Sequence, residues 1–293
     1  MKFTNKTYLP ILKKDVRYTC INNENYFQII KFILNNDDEG LNEYFEWILN
    51  EIIVQKDIIK HMSNIEKFLI LLDNRSMTIG NILSIKSEKN AKVDMHISSI
   101  KNKIINNISN IELTKVCSFD NSRIYLSLPK TMIIDNIDTI YNEVINKIEV
   151  ENDVIEFYSL TEEEKLSIIS NIPAVLSNDI LSFVQNSQEN LTKISLINKN
   201  AHIGIEEINI NCYDSTLFLF LKSIFKDDLM NFYELQFNMM TKMNVSNDHF
   251  MSLTPNECKL FVKFYNEEKK KEEEAQSKQQ SSMPSLPSVP NFR

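Results

Sequence analysis

The chain has 293 residues, 43% hydrophobic and 25% charged, which suits a globular protein with a sizeable buried core. Its 3 glycines, Gly40, Gly80 and Gly204, are too few and too scattered to build a Walker loop or a G-x-G-x-x-G turn, so phosphate cradles of that kind are excluded. A net charge of −8 argues against nucleic-acid binding, which rests on clustered cations facing phosphates.

The first elements read as a strand pair, Thr7–Leu12 and Val16–Ile21, joined by the polar Lys13-Lys14-Asp15, with Pro10 marking an edge. Asn23 is placed to cap a helix over Glu24–Leu34. Leu41, Tyr44, Phe45, Ile48, Leu49 and Ile52 form the apolar stripe of a second helix. A third starts at Ser63, with Glu66 in capping-box position, buries Ile65, Phe68, Leu69 and Leu72, and stops before Gly80. Four segments then alternate apolar and polar side chains as short strands: Ile82–Ser87, Ala91–Ile97, Leu113–Phe119 and Arg123–Leu128. A helix over Ile137–Ile148 and a strand over Val154–Tyr158 close this half.

Thr161 and Glu164 open another capped helix, and Pro173 introduces one running to Gln188. A second hairpin pairs Lys193–Asn198 with Ile205–Cys212 around Gly204. The remainder is helical. Leu217, Phe220, Leu221, Ile224 and Phe225 make one stripe; Leu229, Tyr233, Phe237 and Met240 make another behind Asp227-Asp228. Pro255 begins a last helix, with Leu260, Phe261 and Phe264 on its apolar side and the solvated run Glu267–Glu274 beyond. The expected fold is α+β: small antiparallel sheets alternating with helices, a C-terminal helical bundle and a disordered tail. The expected division is 1–160, 161–275 and 276–293, the last disordered by composition.

That tail is ordered in one respect. Met283, Leu286, Val289 and Phe292 recur every third residue, as do Pro284, Pro287 and Pro290, with Ser282, Ser285, Ser288 and Asn291 in the third column. Polyproline II has three residues per turn, so the apolar and Pro columns would each form one edge of a docking peptide. The plainer reading is a low-complexity linker.

No constellation of reactive side chains stands out. The 4 cysteines, Cys20, Cys117, Cys212 and Cys258, are scattered without C-x-x-C and read as small apolar fillers in a reducing compartment. His61, His96, His202 and His249 show neither i, i+4 pairing nor H-E-x-x-H. The acidic runs Asp37–Glu39, Glu162–Glu164, Glu206-Glu207 and Glu272–Glu274 are adjacent in sequence, whereas an acid–base pair needs two carboxylates in unequal environments across a cleft. No catalytic residue, cofactor or metal site is assigned. Most of the Phe and Tyr in Tyr213–Phe237 and Phe250–Tyr265 are expected in the core, although a helical pair this rich in Phe and Met also suits an apolar patch for a partner. No apolar run reaches the ~18 residues of a spanning helix, which points to a soluble, cytoplasmic chain.

The order of segments resembles the baseplate hub family of T4-type contractile-tailed phages over roughly residues 7–270. The stretch YLPILKKDVRYTCINNENYFQII is similar to the family opening, and KFLILLDNRSMTIGNILSI, with Ser76 and Gly80, resembles a family helix-to-strand segment. IYLSLPKTMII resembles the family's strand ending in Leu-Pro. INCYDSTLFLFLKSIF, DDLMNFYELQFNMMTKMNVS and MSLTPNECKLFVKFYNEE resemble its closing helices, with Met251, Pro255 and Glu257 in the fixed places. Some relatives carry paired cysteines; here Cys117 and Cys212 stand alone. The resemblance implies a hub structural or assembly protein, chaperone-like, whose partners are other hub and tail proteins, with no nucleic acid, membrane or catalysis. It would act in the host cytoplasm during assembly or reside in the tail baseplate. The alternatives are a cytosolic thiol hydrolase using one Cys and one His, and a non-phage scaffold.

Overall fold

The computed structural model describes residues 4–86, 92–109, 111–133, 137–151, 153–191, 193–196, 206–227 and 229–281. Its first hairpin pairs β1 (Asn5–Leu9) with β2 (Lys14–Tyr18), antiparallel, the chain turning through Lys13 at φ 51°. Alternation sends Thr7, Leu9, Val16 and Tyr18 inward. Helix α1 (Asn23–Asn35) follows, and its cap is Asn22, not Asn23: the Asn22 side chain accepts from the Asn25 N–H. Asn23 is buried and donates from Nδ2 to the Phe250 carbonyl (2.8 Å) and to Cys258 Sγ (3.0 Å), tying the start of α1 to the C-terminal helices. Helix α2 (Asp38–Ile52) is capped by Asp37 and buries the predicted stripe, with Tyr44 half-buried at its margin.

After a 3-10 turn (Lys56–His61), helix α3 (Asn64–Thr78) starts with the predicted Ser63–Glu66 capping box. It buries far more than one face: Ile65 to Leu72 are all inside. Buried helical residues must pair whatever polar groups they carry, and most of the pairings here reach other parts of the chain. Glu66 accepts from the N–H groups of Ile11 (3.0 Å) and Leu12 (2.8 Å) beside the first hairpin. Lys67 holds Glu46 of α2 (2.7 Å) and the Lys130 carbonyl (2.9 Å). Asn74 bonds the backbone of Thr19 and Ile21, Asn64 donates to the Cys212 carbonyl (2.7 Å), and Arg75 donates to the carbonyls of Gly80 and Ile224.

The middle of the chain departs from the predicted elements in three places. β3 (Ile82–Lys86) and β4 (Lys92–His96) form an antiparallel hairpin, but the chain enters helix α4 (Ile97–Ile108) directly after it. Its buried Ile97, Ile100, Ile104 and Ile108 keep helical spacing; the β-branched composition obscured a helix that tertiary burial supports. β5 (Thr114–Phe119) and β6 (Ser122–Ser127) pair as expected. The predicted helix over 137–148 then divides into α5 (Ile137–Val144) and β7 (Ile145–Val150). A register shift at Tyr125/Leu126 lets Ile145 and Ile148, three residues apart, both face the core, so helix-like spacing is carried by a bulged strand pair. β8 (Asp153–Glu156) completes the sheet β5-β6-β7-β8, in which Cys117, Ile124, Ile148 and Ile155 lie side by side. The predicted strand over 154–158 stops there, and a 3-10 turn (Phe157–Ser159) buries Phe157.

Helix α6 (Glu162–Ser170) has the Thr161–Glu164 capping box and α7 (Ala174–Leu191) buries Leu176, Ile180 and Phe183. β9 (Lys193–Leu196) and β10 (Glu206–Asn209) pair antiparallel; Gly204, His202 and the turn-side ends of the predicted strands lie outside the described residues. Then come α8 (Thr216–Phe225), α9 (Leu229–Lys242), the short α10 (Asn247–Ser252), for which no separate helix is expected, and α11 (Pro255–Ser281). The fold is α+β. Helices α8, α9 and α10 pack on α1, α8 and α11 pack on α3, and α7 packs on α4 and β5, so one core spans residue 160. Helix α11 continues through Gln276 to Ser281, past the expected start of the tail. Among the described residues no single helix is long and apolar enough to cross a membrane.

Candidate protein-binding surface

Helix α9 is apolar on two faces. Its inner face carries Phe232, stacked on Phe27 of α1 (4.9 Å between centroids) and edge-on to Phe250 of α10 (5.4 Å), and Met239, also buried. Its outer face carries Met230 (71% exposed), Tyr233, Phe237 (64% exposed) and Met240. The spacing i, i+3, i+7, i+10 lines them up along about 15 Å of helix. Three of the four residues expected as one stripe of the helical bundle, Tyr233, Phe237 and Met240, therefore lie on the outside; Leu229 is half-buried. Met230 was missed. The signal for it was present, since two interleaved apolar stripes occur in one helix, but nothing in the sequence says which of them turns inward.

A second exposed apolar cluster opens α11. Thr254 and Glu257 cap this helix reciprocally: Glu257 Oε2 accepts from the Thr254 N–H (2.7 Å), and Thr254 Oγ1 from the Glu257 N–H (3.2 Å). Asn256 and Lys259 donate to the carbonyls of Met77 (2.6 Å) and Ile79 (2.7 Å), and buried Cys258 faces α1. With that side anchored to α3, the expected apolar side turns to solvent: Leu260, Phe261 and Phe264 are all exposed, with Phe261 edge-on to His249 (6.5 Å). Beyond Tyr265 every residue from Asn266 to Ser277 is exposed. This part of α11 is a free-standing arm, polar all round, with ion pairs such as Lys269–Glu272 (2.7 Å) along it. The tail positions Met283, Leu286, Val289, Phe292, Pro284, Pro287 and Pro290 lie beyond this arm and outside the described residues.

The described cysteines, acidic runs and histidines have the following surroundings. Burial pushes the thiols of Cys20, Cys117, Cys212 and Cys258 above their ordinary range. That is opposite to the exposed, electropositive setting of a nucleophilic thiolate. Among the described residues, no group of three or more His, Cys, Asp and Glu is placed to hold a metal. The acidic runs that are described act as helix starts or solvated faces: Asp37 caps α2, Asp38 pairs with Lys222 (2.5 Å), and Glu164 has its carboxyl held low by hydrogen bonds from Thr161. His61 ends the 3-10 turn, His96 precedes α4 and His249 lies in α10. A cleft of ≈ 290 Å³ opens where the core face of the β5–β8 sheet meets the α6–α7 corner, but its lining, including Phe119, Ile148, Ile168 and Ile172, offers no titratable group.

The two exposed apolar helix faces are surfaces of the kind that protein partners cover. The family model described as T4 bacteriophage base plate protein matches residues 1–226, and the chain belongs to that family. It is thus a phage baseplate protein with a structural role. The match ends just after α8, so the resemblance of residues 227–270 to the family's closing helices lies beyond it. No curated protein and no solved structure matches the chain.

Proposed function

We propose that this baseplate protein is a hub structural or assembly component of a contractile tail, acting in a chaperone-like manner through protein–protein binding and without catalysis. The observation that carries the reading is the outward stripe of α9, Met230–Tyr233–Phe237–Met240, on a helix whose opposite face already seals the core. An apolar stripe in excess of what the fold buries is a surface for a neighbour, and Met and aromatic side chains suit such contacts. The tail supplies a second contact: the column Met283–Leu286–Val289–Phe292 with Pro284, Pro287 and Pro290 is a docking peptide for an apolar surface on a hub subunit. The setting is the host cytoplasm during assembly and then the tail baseplate.

Co-expression with the hub proteins of the same phage, followed by size-exclusion chromatography, is the test. Co-elution is expected, with weakening on the order of tenfold or more when Met230→Ser and Phe237→Ser are combined, since burying two such side chains is worth about 1.5–3 kcal/mol each. Deleting 282–293 should weaken the complex separately. Unchanged co-elution of both variants would refute the reading of both surfaces.

A further inference from the structure

The arm of α11 carries the run Lys269-Lys270-Lys271-Glu272-Glu273-Glu274. Two features set it apart from an ordinary solvated helix end. Its pairings within the helix, such as Lys269–Glu272, are exposed and individually weak, so the charges stay accessible to a second chain. Its charges also invert when the run is read backwards, so a second copy lying antiparallel meets opposite charge at every position. Three consecutive helical residues cover an arc of about 200°, so each block presents its sign over most of the helix circumference.

We infer that two copies of this chain pair through antiparallel α11 arms, each delivering its C-terminal tail to the exposed apolar face at the start of the other's α11. The inference rests on the tail being a docking peptide, as proposed above, and names its target. Pairing about the midpoint between Lys271 and Glu272 sets Lys271 beside the second copy's Glu272, Lys270 beside its Glu273 and Lys269 beside its Glu274. The same register sets Val262 beside the second copy's Ser281. Ser281, the last described residue of the second copy's α11, therefore lies level with Leu260, Phe261 and Phe264, which are exposed among the described residues. Tyr265, where the arm leaves the body, lies about 20 Å along the axis from its counterpart at 1.5 Å per residue, which holds the two exit points apart. Charge sets direction and register, because exposed ion pairs are individually weak, and the apolar tail contact supplies the affinity.

Sedimentation velocity on the full chain tests this, with a dimer expected at low salt. The dimer should weaken on the order of tenfold between 0.05 and 0.5 M salt as the screening length shrinks. The triple variants K269E/K270E/K271E and E272K/E273K/E274K should each be monomeric alone and dimerise on mixing; circular dichroism checks that each keeps its helix content. Orientation is read by disulfide trapping. Asn266→Cys and Ser277→Cys variants should cross-link to each other in a mixture and not to themselves, with the unmodified chain as the control for native thiols. A monomeric full chain, or Asn266→Cys linking to itself, overturns the inference. If deleting 282–293 abolishes hub co-elution while the full chain stays monomeric, the docking peptide stands and the dimer falls. If the arms cross-link as described and that deletion leaves the dimer unchanged, tail exchange between copies falls.

Discussion

Replacing Glu66 probes the joint on which the first hairpin depends. Its side chain is 0% exposed, and its carboxylate accepts from the N–H groups of Ile11 (3.0 Å), Leu12 (2.8 Å) and Ser63 (3.4 Å). Glu66→Ala strands those donors. Ile11 and Leu12 are half-buried, so water reaches their N–H groups in part and the lower end of the desolvation range applies, about 1 kcal/mol each. Losing the capping-box partner of α3 adds about 1 kcal/mol. The sum is a destabilisation of about 3 kcal/mol. Glu66→Gln keeps an acceptor for Ile11 and Leu12 and should cost about 1 kcal/mol. Urea unfolding followed by circular dichroism reads both. The pH dependence gives an independent check. Burial raises the Glu66 pKa above its ordinary value, more than the backbone donors lower it. The folded state therefore takes up a proton before the unfolded state does as pH falls. Stability from this group rises on acidification from the folded pKa to the ordinary carboxylate value, then levels off. Wild type should gain on Glu66→Gln through that window. An Ala variant within about 0.5 kcal/mol of wild type, the range of an ordinary surface change, or a Gln variant as damaged as the Ala variant, would refute the clamp.

Asn22 and Asn23 are adjacent and do different work. Asn22→Ala should cost about 1 kcal/mol as a lost cap, and Asn23→Ala about 2 kcal/mol because it removes a buried amide that donates to Cys258 Sγ and to the Phe250 carbonyl, which keeps only the Leu253 N–H; the two unfolding midpoints, measured side by side, check the order. Proteolysis of Asn23→Ala should also release α10 and α11 earlier than in Asn22→Ala, since only Asn23 reaches them. A thiol-reactive probe at neutral pH should label the folded chain slowly, Cys20 first because it alone is half-buried, and all four rapidly in urea. Fast labelling of any one cysteine in the folded state would reopen the thiol-hydrolase reading.

Local signals in the sequence carried far. The capping boxes at Ser63–Glu66 and Thr161–Glu164, Pro255 at the head of α11, and the α2 stripe all stand where the residue pattern places them, because caps and amphipathic spacing are decided within a turn or two of helix. The misreadings came where one spacing serves two structures. Ile145 and Ile148 fit a helix until the bulge between them is known, and α4, whose first residue Ile97 reads as the end of a strand, has no expected element over the rest of its length.

By itself, then, the chain determined its α+β elements, its lack of phosphate loops and paired cysteines, and its baseplate resemblance, all of which depend on residue type and short-range order. Only the tertiary structure decided that α3 is buried on every face from Asn64 to Leu72, with Glu66, Lys67, Asn74 and Arg75 as its ties, and that Met230, Phe237 and Phe264 point away from the core. A helix with two apolar stripes has no intrinsic inside. Packing of Phe27 and Phe250 against Phe232 fixes which stripe turns inward, and the other stripe stays exposed.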